Sequence, residues 1–185
     1  SLPYMTIIAP ADANEMRQVI HQTVDVNGPV YIRVAKGYDP IVTDENMGFQ
    51  LGKPTLARAG SDSLIITTGI TLGFAREAAD ILSDCGHRVK IMHLPTVKPL
   101  DKKILLESMI NIPIIVTVEE HSLIGGLGSA VAEIIAESSL PSKPVFARIG
   151  IPDEFPDQYG SQKTILENYG ISGKGIVNKI LTLVK

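Results

Sequence analysis

Residues Val116–Glu133, reading VTVEEHSLIGGLGSAVAE, constrain the fold more than any other stretch of the chain. They follow an apolar run, Ile112–Val118, turn on Glu119, Glu120 and His121, pass through Gly125-Gly126-Leu127-Gly128 and enter a small-residue amphipathic pattern. That order is strand, glycine-rich turn, helix. Glycines let the backbone turn sharply and bring the helix start close to its strand, leaving free N–H groups and a positive dipole end that can hold an anion. The same arrangement serves packing alone in many α/β proteins, and without a full G-x-G-x-x-G the phosphate reading is not specific. His121, Gly125, Gly126 and Gly128 are therefore candidates for an anion-binding or interface turn.

Regular alternation surrounds this unit. Thr6–Ala9 is a short β-branched run stopped by Pro10, and Asp12 followed by Glu15 resembles a capping box before the stripe Met16, Val19, Ile20, Val24. Asn27-Gly28-Pro29 ends that helix, and Val30–Val34 reads as a strand carrying Arg33. Tyr38–Lys53 is polar, with Asp39-Pro40 and Asp44-Glu45-Asn46, and reads as an interdomain linker. Beyond it the pattern gives an edge strand at Thr55–Ala57, a buried strand at Leu64–Thr68, a helix over Ile70–Asp84 and a strand at Arg88–Leu94. A proline-bounded loop, Pro95–Pro99, precedes an Asp101-capped helix running to about Met109. A last strand, Val145–Ile149, is followed by helical patterns at Gln162–Tyr169 and Gly173–Val184.

Strands alternating with helices of this length predict a mostly parallel sheet covered on both faces, with ligand contacts beyond the carboxyl ends of the strands. The first strand–helix–strand piece is too small to cover both faces of a sheet. It is expected to be weakly protected by itself and to begin inside a larger domain.

Composition narrows the function classes. A chain of 185 residues buries one good core and part of a second unit. A formal net charge of −3 gives no polybasic field, which argues against nucleic acid and anionic membranes as partners. No apolar run approaches the roughly 20 residues that span a bilayer, so the expected location is cytoplasmic. The single cysteine, Cys85, reads as a small buried hydrophobe. One cysteine and four scattered histidines make no zinc pattern, and G-x-S-x-G, P-loop and H-E-x-x-H are absent.

The residues left with chemistry are few. His121 is the best placed for proton transfer, with hydrogen bonding to the glycine turn as its alternative role. Glu119 and Glu120, adjacent on a strand, point to opposite faces, which assigns one of them to structure. Lys36, just past the Val30–Val34 strand, is a candidate for holding a substrate anion, and alternation predicts that Arg33 faces the other way. Lys98, Lys102 and Lys103 read as solvated surface.

Six blocks run in order along the chain: Pro10-Ala11-Asp12 to Glu15, Gly28-Pro29-Val30 to Arg33, Thr68-Gly69, LPTVKPLD at Leu94–Asp101, VTVEEHSLIGGLG at Val116–Gly128, and Asp153-Glu154-Phe155 with Gly160 after it. In these the chain resembles the C-terminal part of transketolases, of the related 1-deoxyxylulose-5-phosphate synthases, and of the beta subunits of thiamine-dependent 2-oxoacid dehydrogenases. The resemblance implies that residues 1–45 are the tail of a pyrimidine-binding domain, 46–53 a linker, and 54–185 a transketolase C-terminal domain. That last unit would be a three-layer α/β/α fold whose mostly parallel five-stranded sheet has one antiparallel edge strand.

The implied activity is transfer of a two-carbon ketol unit between sugar phosphates by a cytoplasmic homodimer. Thiamine diphosphate and a divalent metal would be held by N-terminal domains in cis or by a partner subunit. The family's G-D-G…N-N segment and activating glutamate are not among these residues, so the chain alone is expected to bind no cofactor and to be inactive. Lys36 falls where transketolases and deoxyxylulose-phosphate synthases place an arginine on the sugar phosphate. Lysine is a point charge where arginine is a bidentate fork, a departure that bears on the substrate. The alternatives are a dehydrogenase beta-subunit portion and a non-catalytic anion-binding or dimerisation module.

Overall fold

The computed structural model describes residues 2–44 and 47–184. The linker residues Glu45 and Asn46 lie outside the described residues. The order of elements is β1 (Thr6–Ile8), α1 (Ala13–Thr23), β2 (Val30–Ile32), β3 (Thr55–Arg58), β4 (Ser63–Thr67), α2 (Thr71–Asp84), β5 (Val89–His93), β6 (Thr96–Lys98), α3 (Lys102–Met109), β7 (Ile114–Ser122), α4 (Leu127–Glu137), β8 (Val145–Ile151), α5 (Gln162–Asn168) and α6 (Gly173–Leu183).

The larger sheet has the order β3-β5-β4-β7-β8, with β3 antiparallel to β5 and every other pairing parallel. Its strands are covered on both faces, and side-chain alternation divides them between two cores. Ile65, Ile91, Val116 and Val118 pack with Leu72, Ala75, Ala79 and Ile176 from α2 and α6. Leu64, Ile66, Met92 and Ile115 pack with Leu105, Met109, Val131 and Ile134 from α3 and α4. This is the expected three-layer α/β/α architecture with one antiparallel edge. Each fully buried aliphatic side chain here contributes about 1.5–3 kcal/mol of transfer free energy, so a charge introduced at Ile65 or Ile115 would be ruinous to both layers.

A second sheet of order β2-β1-β6 forms beside it. Pro95–Pro99, read from the sequence as a loop, contains β6, which pairs antiparallel with β1. The turn prolines mask the strand locally, and only the approach of β1 supplies partners for its backbone. Ala9 N–H donates to Pro95 O at 2.7 Å and Gly69 N–H to Ala9 O at 3.0 Å, stitching the first residues to the larger unit.

Helix α1 starts as expected, with Asp12 accepting from Glu15 N–H at 3.0 Å. It ends at Thr23, before the Asn27-Gly28-Pro29 breaker, and of the predicted stripe Val19 is buried whereas Ile20 and Val24 are exposed. The polar segment after β2 is docked along this helix. Phe49 joins Ile8 and Val19 in a small core. Gln18 accepts from Phe49 N–H at 2.7 Å, and Gln22 accepts from Leu51 N–H at 2.8 Å and donates to Phe49 O at 2.6 Å.

Cys85 is exposed, contrary to its sequence reading. The buried stripe of α2 runs through Leu72, Ala75, Ala78, Ala79 and Leu82. The helix stops at Asp84, so Cys85 caps it in solvent instead of extending the stripe.

Candidate functional site

The polar residues at the carboxyl end of β7 meet the exit of β2. The β7 strand continues through Glu119, Glu120, His121 and Ser122, past the Val118 end of the apolar run. The residue after the bulge, Ser122, is still in register with Ile151 of β8. Strand geometry then sends Glu119 and Glu120 to opposite faces, as alternation requires.

Glu119 is buried against the start of α4. Its carboxylate accepts N–H groups from Leu127 at 2.6 Å and Gly128 at 2.8 Å. A Cβ on Gly126 would overlap that carboxylate, and a Cβ on Gly128 would sit 2.7 Å from Thr117 Oγ1. The glycines are therefore required by close packing of strand, carboxylate and helix. Burial pushes the Glu119 carboxyl above its ordinary value. The N–H groups of Gly128 and Leu127 and the charges of His121 and Arg148 pull the other way without cancelling it. The turn's strongest donors are thus held by a carboxylate of the same chain.

His121 is half exposed. Its Nδ1 lies 2.9 Å from Ser122 O, which makes Nδ1 the protonated nitrogen, and 4.0 Å from Glu119 Oε2. Gly125, with φ 73°, has the left-handed backbone that favours glycine, and its N–H donates to Ser129 Oγ at 3.1 Å. His121, Gly125 and Gly126 line one wall of a hollow of about 190 Å³ whose other wall is Ile7, Tyr31 and Arg33.

Glu120 faces the other way and is the hub between the two units. Its Oε2 accepts from Arg33 Nη1 at 3.3 Å and its Oε1 from Gln162 Nε2 at 2.7 Å. Arg33 and Lys36 line the same second concavity, of about 360 Å³, together with Glu120 and Gln162. The alternation argument had put them on opposite sides. Strand β2 ends at Ile32 and Arg33 N–H makes one more bond to β1, to Ile8 O at 2.8 Å, so regular alternation does not extend from Arg33 to Lys36. Lys36 is exposed, and among the described residues its ammonium has no ion-pair or hydrogen-bond partner.

One further contact ties the first residues to the larger unit, and another holds the segment after β2 on the start of α1. Glu15 accepts from Ala11 N–H at 2.6 Å and lies 3.0 Å from Nε2 of the fully buried His93. The other ring nitrogen, Nδ1, has no partner among the described residues. Asp12 accepts from Val42 N–H at 2.7 Å and from Thr43 through both N–H, at 2.6 Å, and Oγ1. Apart from the local Ala11–Glu15 bond, none of these partners is visible in local sequence, because they lie 30 to 87 positions apart.

The residues do not form a seat for a diphosphate and its metal. Among the described residues no three His, Cys, Asp or Glu side chains gather where they could hold an ion. The buried carboxylates are committed elsewhere: Asp12 and Glu119 to backbone N–H groups, and Glu15 to Ala11 and His93.

Residues 52–176 match the family model of the transketolase C-terminal domain. The chain belongs to the transketolase C-terminal domain family. It is 40% identical over 181 residues to a transketolase family protein, y4mN, of Sinorhizobium fredii, covering 97% of this chain and 52% of that protein. It is 36% identical over 178 residues to a 6-deoxy-6-sulfo-D-fructose transketolase subunit of a Clostridium species, covering 96% of this chain and 54% of that subunit. A solved split-gene transketolase, described as an inactive beta4 tetramer, superposes with a TM-score of 0.88 at 35% identity, covering all of this chain and 60% of that one. The chain thus spans about half the length of these relatives. In this transketolase domain the family match begins at the end of the docked segment after β2 and ends within α6.

Proposed function

We propose that the chain is the C-terminal section of a thiamine-diphosphate-dependent, transketolase-like enzyme that transfers a two-carbon ketol unit. In this reading residues 1–45 complete a pyrimidine-binding domain, 46–53 link it to the rest, and 54–185 form the C-terminal domain. Cofactor, metal and activating glutamate come from thiamine-binding domains in cis or from a partner subunit, within a cytoplasmic homodimer. The observation that carries the reading is the Lys36 ammonium at the exit of β2, without a partner among the described residues, in a concavity closed by Glu120 and Gln162 of the C-terminal domain. A cation beyond the carboxyl end of a strand, with no counter-ion among the described residues, is placed to receive an anionic group of substrate.

Lys36 suits a substrate whose charged end is compact. A sugar phosphate would fit an arginine fork better, and a lysine accepts phosphate, sulfonate or carboxylate as a point charge. The Clostridium relative, named for a sulfonated sugar, supports an anionic sugar other than a phosphate as a substrate class here. The glycine turn takes no substrate anion in this reading, because Glu119 already holds its Leu127 and Gly128 N–H groups. The largest helix, α2, has 14 residues, and no helix among the described residues is long and apolar enough to cross a membrane.

Reconstitution tests the proposal. The chain titrated calorimetrically with thiamine diphosphate and magnesium is expected to show no binding. Adding the separately produced thiamine-binding half, or supplying it in one polypeptide, is expected to give both cofactor binding and ketol transfer. A micromolar dissociation constant for the chain alone, or an assembly that binds cofactor and transfers no ketol unit to any anionic or neutral sugar, would overturn it.

A further inference from the structure

Arg33 and Lys36 are two cations in one concavity, yet they are not equivalent. Both oxygens of Glu120 are engaged, one by Arg33 Nη1 at 3.3 Å and the other by the side-chain amide of Gln162 at 2.7 Å. The Glu120 side chain is 13% exposed and that of Arg33 37%, so the carboxylate end of the pair is the sheltered one. Lys36 has no such partner among the described residues. The three ionic groups of the concavity, Arg33, Lys36 and Glu120, therefore sum to a single positive charge.

We propose that Glu120 is a specificity-determining residue that compensates Arg33 and so reduces the advantage this concavity would otherwise give a phosphate dianion over a singly charged anion, such as a sulfonate or carboxylate. The inference rests on the reading of Lys36 as the anion contact and adds a substrate class to it. Coulombic attraction scales with the charge of the ligand, so changing the site by one unit changes the free energy twice as much for a dianion as for a monoanion. A factor of about three in affinity for the monoanion then becomes its square, about ten, for the dianion. An uncompensated Arg33 would also offer its fork bidentately to phosphate. Glu120 lies on β7 of the C-terminal domain and Arg33 lies just past β2, so the charge of the anion site is set by how the two units dock.

The test reads anion binding without turnover, which keeps it separate from the ketol-transfer proposal. The Lys36 ammonium and Arg33 guanidinium signals are followed by NMR in the full chain during titration with inorganic phosphate at pH 8 and with methanesulfonate. Glu120→Gln is expected to raise phosphate affinity about tenfold and methanesulfonate affinity about threefold, tilting the ratio toward phosphate. Glu120→Asp keeps the charge and should leave the ratio near that of the wild type. Adding Arg33→Gln to Glu120→Gln should return the ratio to the wild-type value, since the net charge is restored. A ratio unchanged in folded Glu120→Gln, or a Lys36 signal that responds to neither anion in any variant, overturns the inference. An inactive reconstituted enzyme with the expected ratios would instead count against ketol transfer alone.

Discussion

The carboxylate of Glu119 sits on the start of α4 and accepts the backbone N–H groups of Leu127 and Gly128 at 2.6 and 2.8 Å. A helix start that could have held an external anion is satisfied from within, by a side chain eight and nine positions earlier.

Removing that carboxylate exposes the seat. Glu119→Ala should lower stability by about 1–3 kcal/mol, the cost of leaving two buried donors unpaired. Sulfate should then raise the melting temperature of Glu119→Ala and leave that of the wild type unchanged. Gly126 has φ −88°, so alanine there meets no backbone strain, and any loss in Gly126→Ala reports the overlap with the Glu119 carboxylate and with Ser122 O. An unchanged urea midpoint for Gly126→Ala would contradict this geometry.

Asp12 governs the acid limb of stability. Burial pushes its carboxyl up, but hydrogen bonds from Glu15 N–H, Thr43 Oγ–H and N–H, and Val42 N–H together hold it below the ordinary value of 3.8. A lowered folded-state pKa gives stability that is fully present above the unfolded value and is lost as pH falls through the folded one. Melting temperatures between pH 2 and 6 should therefore fall steeply for the wild type below about pH 4 and more shallowly for Asp12→Asn. At neutral pH Asp12→Asn should cost about 2–4 kcal/mol, combining a lost cap with unpaired linker donors.

Glu15 and His93 join α1 to the end of β5 in a fully buried contact. Glu15→Ala leaves both ring nitrogens of His93 unpaired and should cost about 2–4 kcal/mol, whereas Glu15→Gln keeps an acceptor and should cost less. Hydrogen exchange should show α1 losing protection before β4 or β7. Uniform loss across the chain would mean that the first 44 residues and the larger sheet unfold as one unit.

Limited proteolysis distinguishes a docked segment from a free linker. Phe49 and Leu51 are held by Gln18 and Gln22, while Tyr38, Phe155 and Tyr159 are fully exposed. The first cuts should fall near Tyr38 or in residues 153–160, and Gln22→Ala should open a new site near Leu51. Rapid wild-type cleavage at Phe49 or Leu51 would refute the docking.

Lys36→Ala in the reconstituted enzyme should raise KM for an anionic substrate about 10- to 100-fold, corresponding to roughly 1.5–3 kcal/mol for a charge-assisted contact. Stability should change by less than about 0.5 kcal/mol, since the side chain is exposed. Lys36→Arg should be tolerated for a sugar phosphate and should lose activity toward a smaller sulfonate or carboxylate. Unchanged KM in Lys36→Ala across these substrates would remove it from the site.

The sequence by itself determined the order of the elements other than β6, the two apolar faces of the larger sheet and the caps at Asp12 and Asp101, because these depend on side-chain periodicity and on bonds spanning three or four residues. Only the tertiary structure decided the rest. Pro95–Pro99 became a strand when β1 arrived to pair with it, and Cys85 was left in solvent when α2 stopped one residue short. Arg33 and Lys36 came to line one concavity because regular pairing stops before Lys36. Glu120 found Arg33 across 87 positions and His93 found Glu15 across 78. A charged or polar side chain carries no local mark of its partner, since hydrogen bonds and ion pairs are fixed by which backbones pack together, and that is settled by burial of the apolar faces.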